Sequence, residues 1–355
     1  MARWTAAEAL QLLLRNFLQR GADAAEPLRA GEMATGEALS LQLRKIRAVR
    51  DQGAPRQIGV LGAPKRGKSS LINALLKLEL MPVARDFLSS SVIRTCRDPA
   101  LTDRFKVIVH NSDGYQTFQI VDEPAAVTAL IEQYGTRRGE TSAEWIEISS
   151  AFPDAALLHD GGMLLDTPGA ELAFECGGED GRLERETARA LAILDEVHIP
   201  VFCVRADQIG ARSDAVFYQR ELSRRHSFNV VNFRDRYEEA DLLLHAVRTY
   251  GFPPDRVAAV SAREAILALR AGDRAAYDAS GLSELQRLFQ QEIAALSEPT
   301  ALLEVLEEFN AFRRALPARR RQLLSRLLLA NCRMAFEREI PESAAGDCWK
   351  ELEKG

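Results

Sequence analysis

Apolar positions along the chain switch between two spacings. Short apolar runs at 57–61, 105–110, 115–121, 145–150, 162–166, 198–204, 227–232 and 256–260 predict strands. Apolar residues three and four apart predict helices at 68–79, 124–134, 182–194, 213–224, 238–249, 262–270 and 282–296. Strands alternating with helices imply an α/β domain with a mostly parallel sheet covered on both faces. Before it, Leu10, Leu13, Leu14, Phe17 and Leu18 mark one helix, and Leu39, Leu43, Ile46 and Val49 a second, with Pro27 and Gly31 between. After Pro299 the spacing turns helical again with Leu302, Leu303, Leu306 and Phe309, then with Leu323, Leu324, Leu327 and Leu328. The expected organisation is N-terminal helices over 1–54, an α/β domain over 55–297 and C-terminal helices over 298–355. The two helical ends are expected to pack as a bundle beside the α/β domain.

Composition narrows the function. The 355 residues carry a net charge of −5, which argues against a nucleic-acid binder working by bulk charge. No apolar run approaches the roughly 18 residues of a spanning helix. Glu8 interrupts any signal-peptide reading of the N-terminus. The five cysteines are scattered and form no C-x-x-C pair, so a reducing cytoplasm is the expected location. The five histidines are dispersed and read as structural. Six arginines in 313–326 read as a solvated helical face, the alternative being contact with anionic lipid or a partner helix.

The chemistry is concentrated in "GAPKRGKSS", residues 62–70, between a strand and a helix. Gly62, Gly67, Lys68 and Ser69 meet the G-x-x-x-x-G-K-[ST] pattern. Its glycines let backbone N–H groups, with those of Ala63, Lys65, Arg66 and Ser70, turn toward phosphate oxygens. The next helix adds its positive end. Lys68 is expected on the β- and γ-phosphates and the Ser69 hydroxyl on Mg²⁺. The bland alternative is a glycine turn that only joins strand to helix.

Three later stretches bear on the base. In "LLDTPG" Asp166 ends an apolar strand, placed to hold Mg²⁺ through water, and the Gly169 N–H would meet the γ-phosphate. "VVNFRD" is close to the guanine-reading N-K-x-D, with Asn232 and with Asp235 accepting from the guanine N1–H and exocyclic amine. Phe233 stands where that pattern has lysine; it either stacks on the purine or is a core residue. Ser261 and Ala262 in "VSARE" are expected to offer backbone to guanine O6. Asp207 in "VRADQ" also ends a strand but lacks the asparagine, and reads as a loop residue near the site. The nucleotide expected is GTP or GDP.

Over roughly residues 56–297 the sequence resembles the dynamin superfamily, and most closely bacterial dynamin-like GTPases. The resemblance rests on "GAPKRGKSSLINALL", "LMPVARDFLSSSVIRT", "FPDAALLHDGGMLLDTPG", "VFCVRADQIGARSD" and "VSAREA". It implies that "MPV…SSSVI" is switch I, with Ser90 (or else Ser89) where the family has the threonine that closes over Mg²⁺ and the γ-phosphate. It implies GTP hydrolysis stimulated when two GTPase domains pair, as a homodimer or hetero-oligomer. It also implies a helical bundle or stalk from both chain ends, and work at a peripheral membrane surface. Residues after 300 are few for a full stalk with a membrane-binding tip.

The family neutralises charge with a monovalent cation bound at the phosphate loop. Lys65 stands at the position that orders it, and its ammonium is expected to supply that charge directly; the alternatives for Lys65 and Arg66 are solvated loop residues or contacts to a dimer partner. Pro64 replaces the family's loop glutamine, and Ala170 and Glu171 follow D-T-P-G, so slow hydrolysis in the monomer is expected. Two other functions compete: a ribosome-assembly GTPase, disfavoured by the acidic balance, and a nucleotide-gated interaction module with little turnover.

Overall fold

The computed structural model describes residues 55–83, 91–111, 114–135, 143–168, 191, 193–194, 197–223 and 225–297, with isolated positions at 311, 314 and 318. Cα proximity divides the chain into a unit of residues 53–297 and a unit of 1–52 with 298–355. The helices expected at both chain ends, most of the helix expected at 182–194, and Ser89, Ser90 and Gly169 lie outside the described residues.

Unit 53–297 is built on nine strands: β1 (Arg56–Leu61), β2 (Val92–Arg97), β3 (Phe105–Asn111), β4 (Gln116–Val121), β5 (Ala143–Ser150), β6 (Gly162–Asp166), β7 (Ile199–Arg205), β8 (Phe228–Asn232) and β9 (Val257–Val260). They form one sheet in the order β4-β3-β5-β2-β6-β1-β7-β8-β9. From β6 to β9 every pairing is parallel. These strands are near-continuous apolar runs because both their faces are buried. The other half is mixed: β2 runs antiparallel to β6, and β3 antiparallel to β4 and β5.

The helices are α1 (Lys68–Leu76), α2 (Pro124–Gly135), α3 (Ala156–His159), α4 (Arg212–Phe217, continued by a π turn over Tyr218–Leu222), α5 (Glu239–Tyr250), α6 (Ala262–Ala271), α7 (Arg274–Ala279) and α8 (Leu282–Ser297). α1 is buried on most sides because it lies between β1 and β6 and the helices α6 and α8. It stops at Leu76, three residues short of the expected end, where Lys77 turns left-handed (φ 54°).

Three elements differ from the sequence expectation. β2 was not expected, because its stretch VIRTCR interrupts the apolar pattern with Arg94 and Arg97. α3 and α7 are shorter than the window over which helical periodicity shows. The two-sided cover expected of the sheet weakens at the edge strand β4, whose Phe118 and Ile120 are exposed.

Register sets up the site. Val60 pairs with Asp166 on one side and Val201 on the other. Asn232 pairs with Arg205 and with Val260. The carboxyl ends of five parallel strands thus form one rim, the place where open α/β sheets bind ligands.

Candidate nucleotide site

Residues 62–67 leave β1 and turn into α1. Gly62 has φ 144°, and a Cβ there would lie 2.4 Å from the Cys203 carbonyl oxygen of β7. Gly67 has φ 84°, and a Cβ there would lie 2.4 Å from Asn232 Nδ2. Both glycines are demanded by space as well as by conformation. Gly67 also occupies the N-cap of α1 with no side chain capping the helix. By contrast Ser261 accepts from the Glu264 N–H at the start of α6, and Asp273 from the Ala276 N–H at the start of α7. The N-terminal N–H groups of α1, Ser69 and Ser70 among its first residues, therefore face the rim without a side-chain acceptor, as an anion site requires.

The three cations of the loop are placed differently. Lys68 is buried, and its Nζ donates to the Gly62 and Ala63 carbonyls at 3.0 and 3.1 Å. Burial pushes its ammonium below the usual lysine range, with Asp166 opposing. Arg66, expected beside phosphate, turns its side chain inward: Nε donates to Asp214 Oδ2 at 2.9 Å and Nη1 to Gln208 Oε1. Its guanidinium ties the loop to the segment after β7, so only its backbone remains to face phosphate. Lys65 is exposed, with left-handed backbone (φ 62°) and no hydrogen bond or ion pair among the described residues.

On the β6 side, the Ser69 hydroxyl donates to Asp166 Oδ2 at 2.7 Å. Asp166 is buried, and its Oδ1 has no hydrogen-bond partner among the described residues. Burial pushes its carboxyl above the usual range, opposed by Lys68 and by the Ser69 bond. Thr167 donates to the Val60 carbonyl at 2.7 Å and fixes the turn after β6 to β1. A hydroxyl beside a carboxylate with one unsatisfied oxygen suits a hard, oxygen-seeking cation, so Ser69 and Asp166 fit Mg²⁺. Among the described residues no group of three or more His, Cys, Asp or Glu could hold a metal ion. Asp166→Asn is expected to remove the Mg²⁺ dependence of nucleotide affinity and to leave the nucleotide-free melting temperature level or higher, because a buried charge is gone. Fluorescent-GDP titration with and without Mg²⁺, beside a thermal scan, checks this; affinity still rising with Mg²⁺ would move the ion elsewhere.

The remaining expected residues converge on β8 and β9. Asn232 is buried, and its Nδ2 donates to the Gly67 carbonyl at 3.3 Å. Its Oδ1 accepts from the Phe233 N–H at 2.8 Å and the Ala262 N–H at 3.2 Å. The Ala262 N–H, expected to face guanine O6, is thus engaged by Asn232. Asp235 lies in a single 3₁₀ turn, Arg234–Arg236, and its Oδ1 accepts from the Ser261 hydroxyl at 3.3 Å. Phe233 is half-buried in the left-handed region (φ 68°), its ring beside Gly67. Asp207, read as a loop residue near the site, holds Arg205 through two hydrogen bonds of 2.9 and 2.7 Å.

Sequence reasoning missed Asp214 and Gln208 as partners of Arg66, and Asn73, whose side chain holds Leu80 and Met81 through three hydrogen bonds. It also left Cys203 without a place. That buried thiol donates to the Arg66 carbonyl, and burial pushes it up to about 12, so it is inert packing under the loop.

A glycine loop opening an uncapped helix, an acidic residue on the neighbouring strand end and an N-x-x-D turn packed on a serine–alanine turn define a P-loop GTPase domain. A family model described as the dynamin family matches residues 58–233, close to half of the chain. Residues 58–233 are thus those of a dynamin-family domain. Two solved structures of an oligomerised bacterial dynamin pair, described as providing a mechanism for the long-range sensing and tethering of membranes, share the fold. One is 17% identical over 97% of this chain and 59% of its own, with a TM-score of 0.50. The other is 16% identical over 100% of this chain and 60% of its own, with a TM-score of 0.51. This chain therefore spans 59% to 60% of the length of those dynamins. Era from Aquifex aeolicus bound to GDP.AlF4- aligns at 15% identity over 66% of this chain and 56% of its own, with a TM-score of 0.38, too low to carry an argument. Curated protein sequences give no significant match. Among the described residues no helix is long and apolar enough to cross a membrane.

Proposed function

We propose that this chain binds GTP with Mg²⁺ at the rim of β6, β1, β7, β8 and β9 and hydrolyses it as a dynamin-like switch. The observation that carries the reading is the Asn232 bridge: one side chain joins the phosphate loop at Gly67 to the turns of Phe233–Asp235 and Ser261–Ala262. Phosphate holding and base reading then belong to one site, and Asp235 reads the guanine N1–H and amine, which adenine does not present. Ser69 and, through water, Asp166 would hold Mg²⁺, which would supply charge neutralisation to the phosphates. Lys68 exchanges its carbonyl partners for phosphate oxygens, which relieves its burial.

Phosphoryl transfer needs positioning and charge more than covalent help. The exposed Lys65 is proposed to add that charge at the γ-phosphate, in place of a monovalent cation. Ser90 is proposed to meet Mg²⁺ and the γ-phosphate, and the Gly169 N–H the γ-phosphate. We further propose that hydrolysis quickens when GTPase domains pair, as a homodimer or hetero-oligomer, with residues 1–54 and 298–355 forming a helical bundle at a peripheral membrane surface. Support for this last part is the likeness to the bacterial dynamin pair.

Calorimetry with GTP and ATP in the presence of Mg²⁺ tests the core of the reading: GTP is expected to bind more tightly, and preference for ATP or no binding would end it. Turnover per molecule should climb with protein concentration. A flat trace near zero would favour a nucleotide-gated module, consistent with Pro64 standing where a water-orienting glutamine would be. Lys65→Ala should lower turnover while GDP affinity holds; unchanged turnover removes Lys65 from the mechanism.

A further inference from the structure

The N-K-x-D lysine does two things: its stem lies along the base, and its ammonium adds a positive charge next to the phosphate loop. Phe233 supplies only an apolar surface. Its ring lies against the loop, since a Cβ on Gly67 would come within 3.0 Å of Phe233 Cε2. It precedes the base-reading Asp235 by two residues, so it stands between phosphate loop and base reader. The Phe233 backbone is fixed by its N–H bond to Asn232.

A cation is nevertheless present. The Arg205 guanidinium carbon lies 4.5 Å from the centre of the Phe233 ring. Arg205 ends β7, directly beside Asn232 in the parallel register, so the sheet itself delivers the guanidinium to this ring. Asp207 grips the guanidinium by Nε and Nη2, which fixes its plane. The three side chains come from two strand ends, and the guanidinium is half-buried on the rim.

We propose that Arg205 and Phe233 together form the shelf for the guanine ring, with Arg205 as a positioning residue that locks the Phe233 ring. This rests on the guanine-nucleotide reading above. A planar guanidinium stacked on an aromatic face is favourable, and more so when water is excluded by a bound base. Asp207 keeps the guanidinium from turning to solvent or to the phosphates.

The test is titration of fluorescent GDP into wild type, Arg205→Ala, Phe233→Lys and the double variant, with inorganic pyrophosphate as competitor. Arg205→Ala should weaken GDP about tenfold, the loss of roughly one desolvated cation–π contact. Pyrophosphate competition and the nucleotide-free melting temperature should not change, because the phosphate loop is untouched. In the Phe233→Lys background, where a lysine resumes both tasks, removing Arg205 should change GDP affinity less than twofold, an order-of-magnitude expectation. Unchanged GDP binding in Arg205→Ala, or an equal loss in both backgrounds, overturns the shelf. So does a parallel loss for pyrophosphate, which would mark Arg205 as a general structural residue. Wild type that binds pyrophosphate but no GDP would overturn the guanine reading as well, which separates the two failures.

Discussion

Replacing Arg66 with alanine is expected to destabilise unit 53–297 by about 3–5 kcal/mol, the usual cost of stripping one partner from a buried ion pair. Asp214 is 1% exposed, and its Oδ1 has no hydrogen-bond partner among the described residues. Without Arg66 the carboxylate keeps its desolvation and loses the contact that offsets it. The sign with pH follows. Burial already holds the Asp214 carboxyl above the usual range, with Arg66 opposing. Removing Arg66 raises it further, so the native state binds that proton more tightly than the unfolded chain does. The stability missing at neutral pH should then return as pH falls through the raised native value toward the unfolded value near about 4. Chemical denaturation of wild type and Arg66→Ala across that window checks this. A double replacement, Arg66→Met with Asp214→Leu, should recover most of the loss, since an apolar pair of similar volume is often neutral. If the two single losses simply add in a full cycle, the pair carries no coupling and the brace is not what holds the loop.

This ion pair also shows what the sequence could and could not disclose. The phosphate loop was legible because its requirements are local: two glycines, a lysine and a serine within eight positions, between an apolar run and a helical one. The parallel half of the sheet was legible for the same reason, each buried strand being a near-continuous apolar run. The role of Arg66 was not, because its partner lies 148 positions away and nothing in the loop distinguishes a buried arginine from a phosphate ligand. β2 was hidden by its arginines, one of which, Arg94, covers the Trp145 ring at 5.2 Å and so needs no apolar neighbour in sequence. α7 was hidden by its length: it has six residues, started by the N-cap bond of Asp273 to the Ala276 N–H, and is too short for helical periodicity to show. Phe233 was legible as a departure from N-K-x-D. Its compensation was not, because Arg205 reaches it through the pairing of β7 with β8 and through no motif.

Replacing Asn232 with alanine is expected to damage stability and nucleotide affinity together, and the division between them identifies what the bridge does. Three hydrogen bonds end on this buried side chain: the Gly67 carbonyl accepts from it, and the Phe233 and Ala262 N–H groups donate to it. Each is worth about 1 kcal/mol net, and a buried group left unpaired costs about 1–3 kcal/mol, so a loss of about 2–4 kcal/mol is expected. Phe233 adds to this, since its left-handed backbone is sparsely populated for a residue other than glycine and loses the bond that holds it. Asn232→Asp separates the two ends of the bridge. It keeps an oxygen for the Phe233 and Ala262 N–H groups but sets a carboxylate oxygen against the Gly67 carbonyl, so the base turns stay joined while the phosphate loop is pushed away. Urea denaturation should therefore rank wild type above both variants, and both variants should bind GDP at least about tenfold more weakly than wild type, one lost buried contact being worth about 1.4 kcal/mol or more. GDP affinity that survives Asn232→Asp would show that the phosphate loop holds its shape without the β8 side chain, and the continuity of phosphate and base sites on which the GTPase reading depends would then have to come from α1 alone.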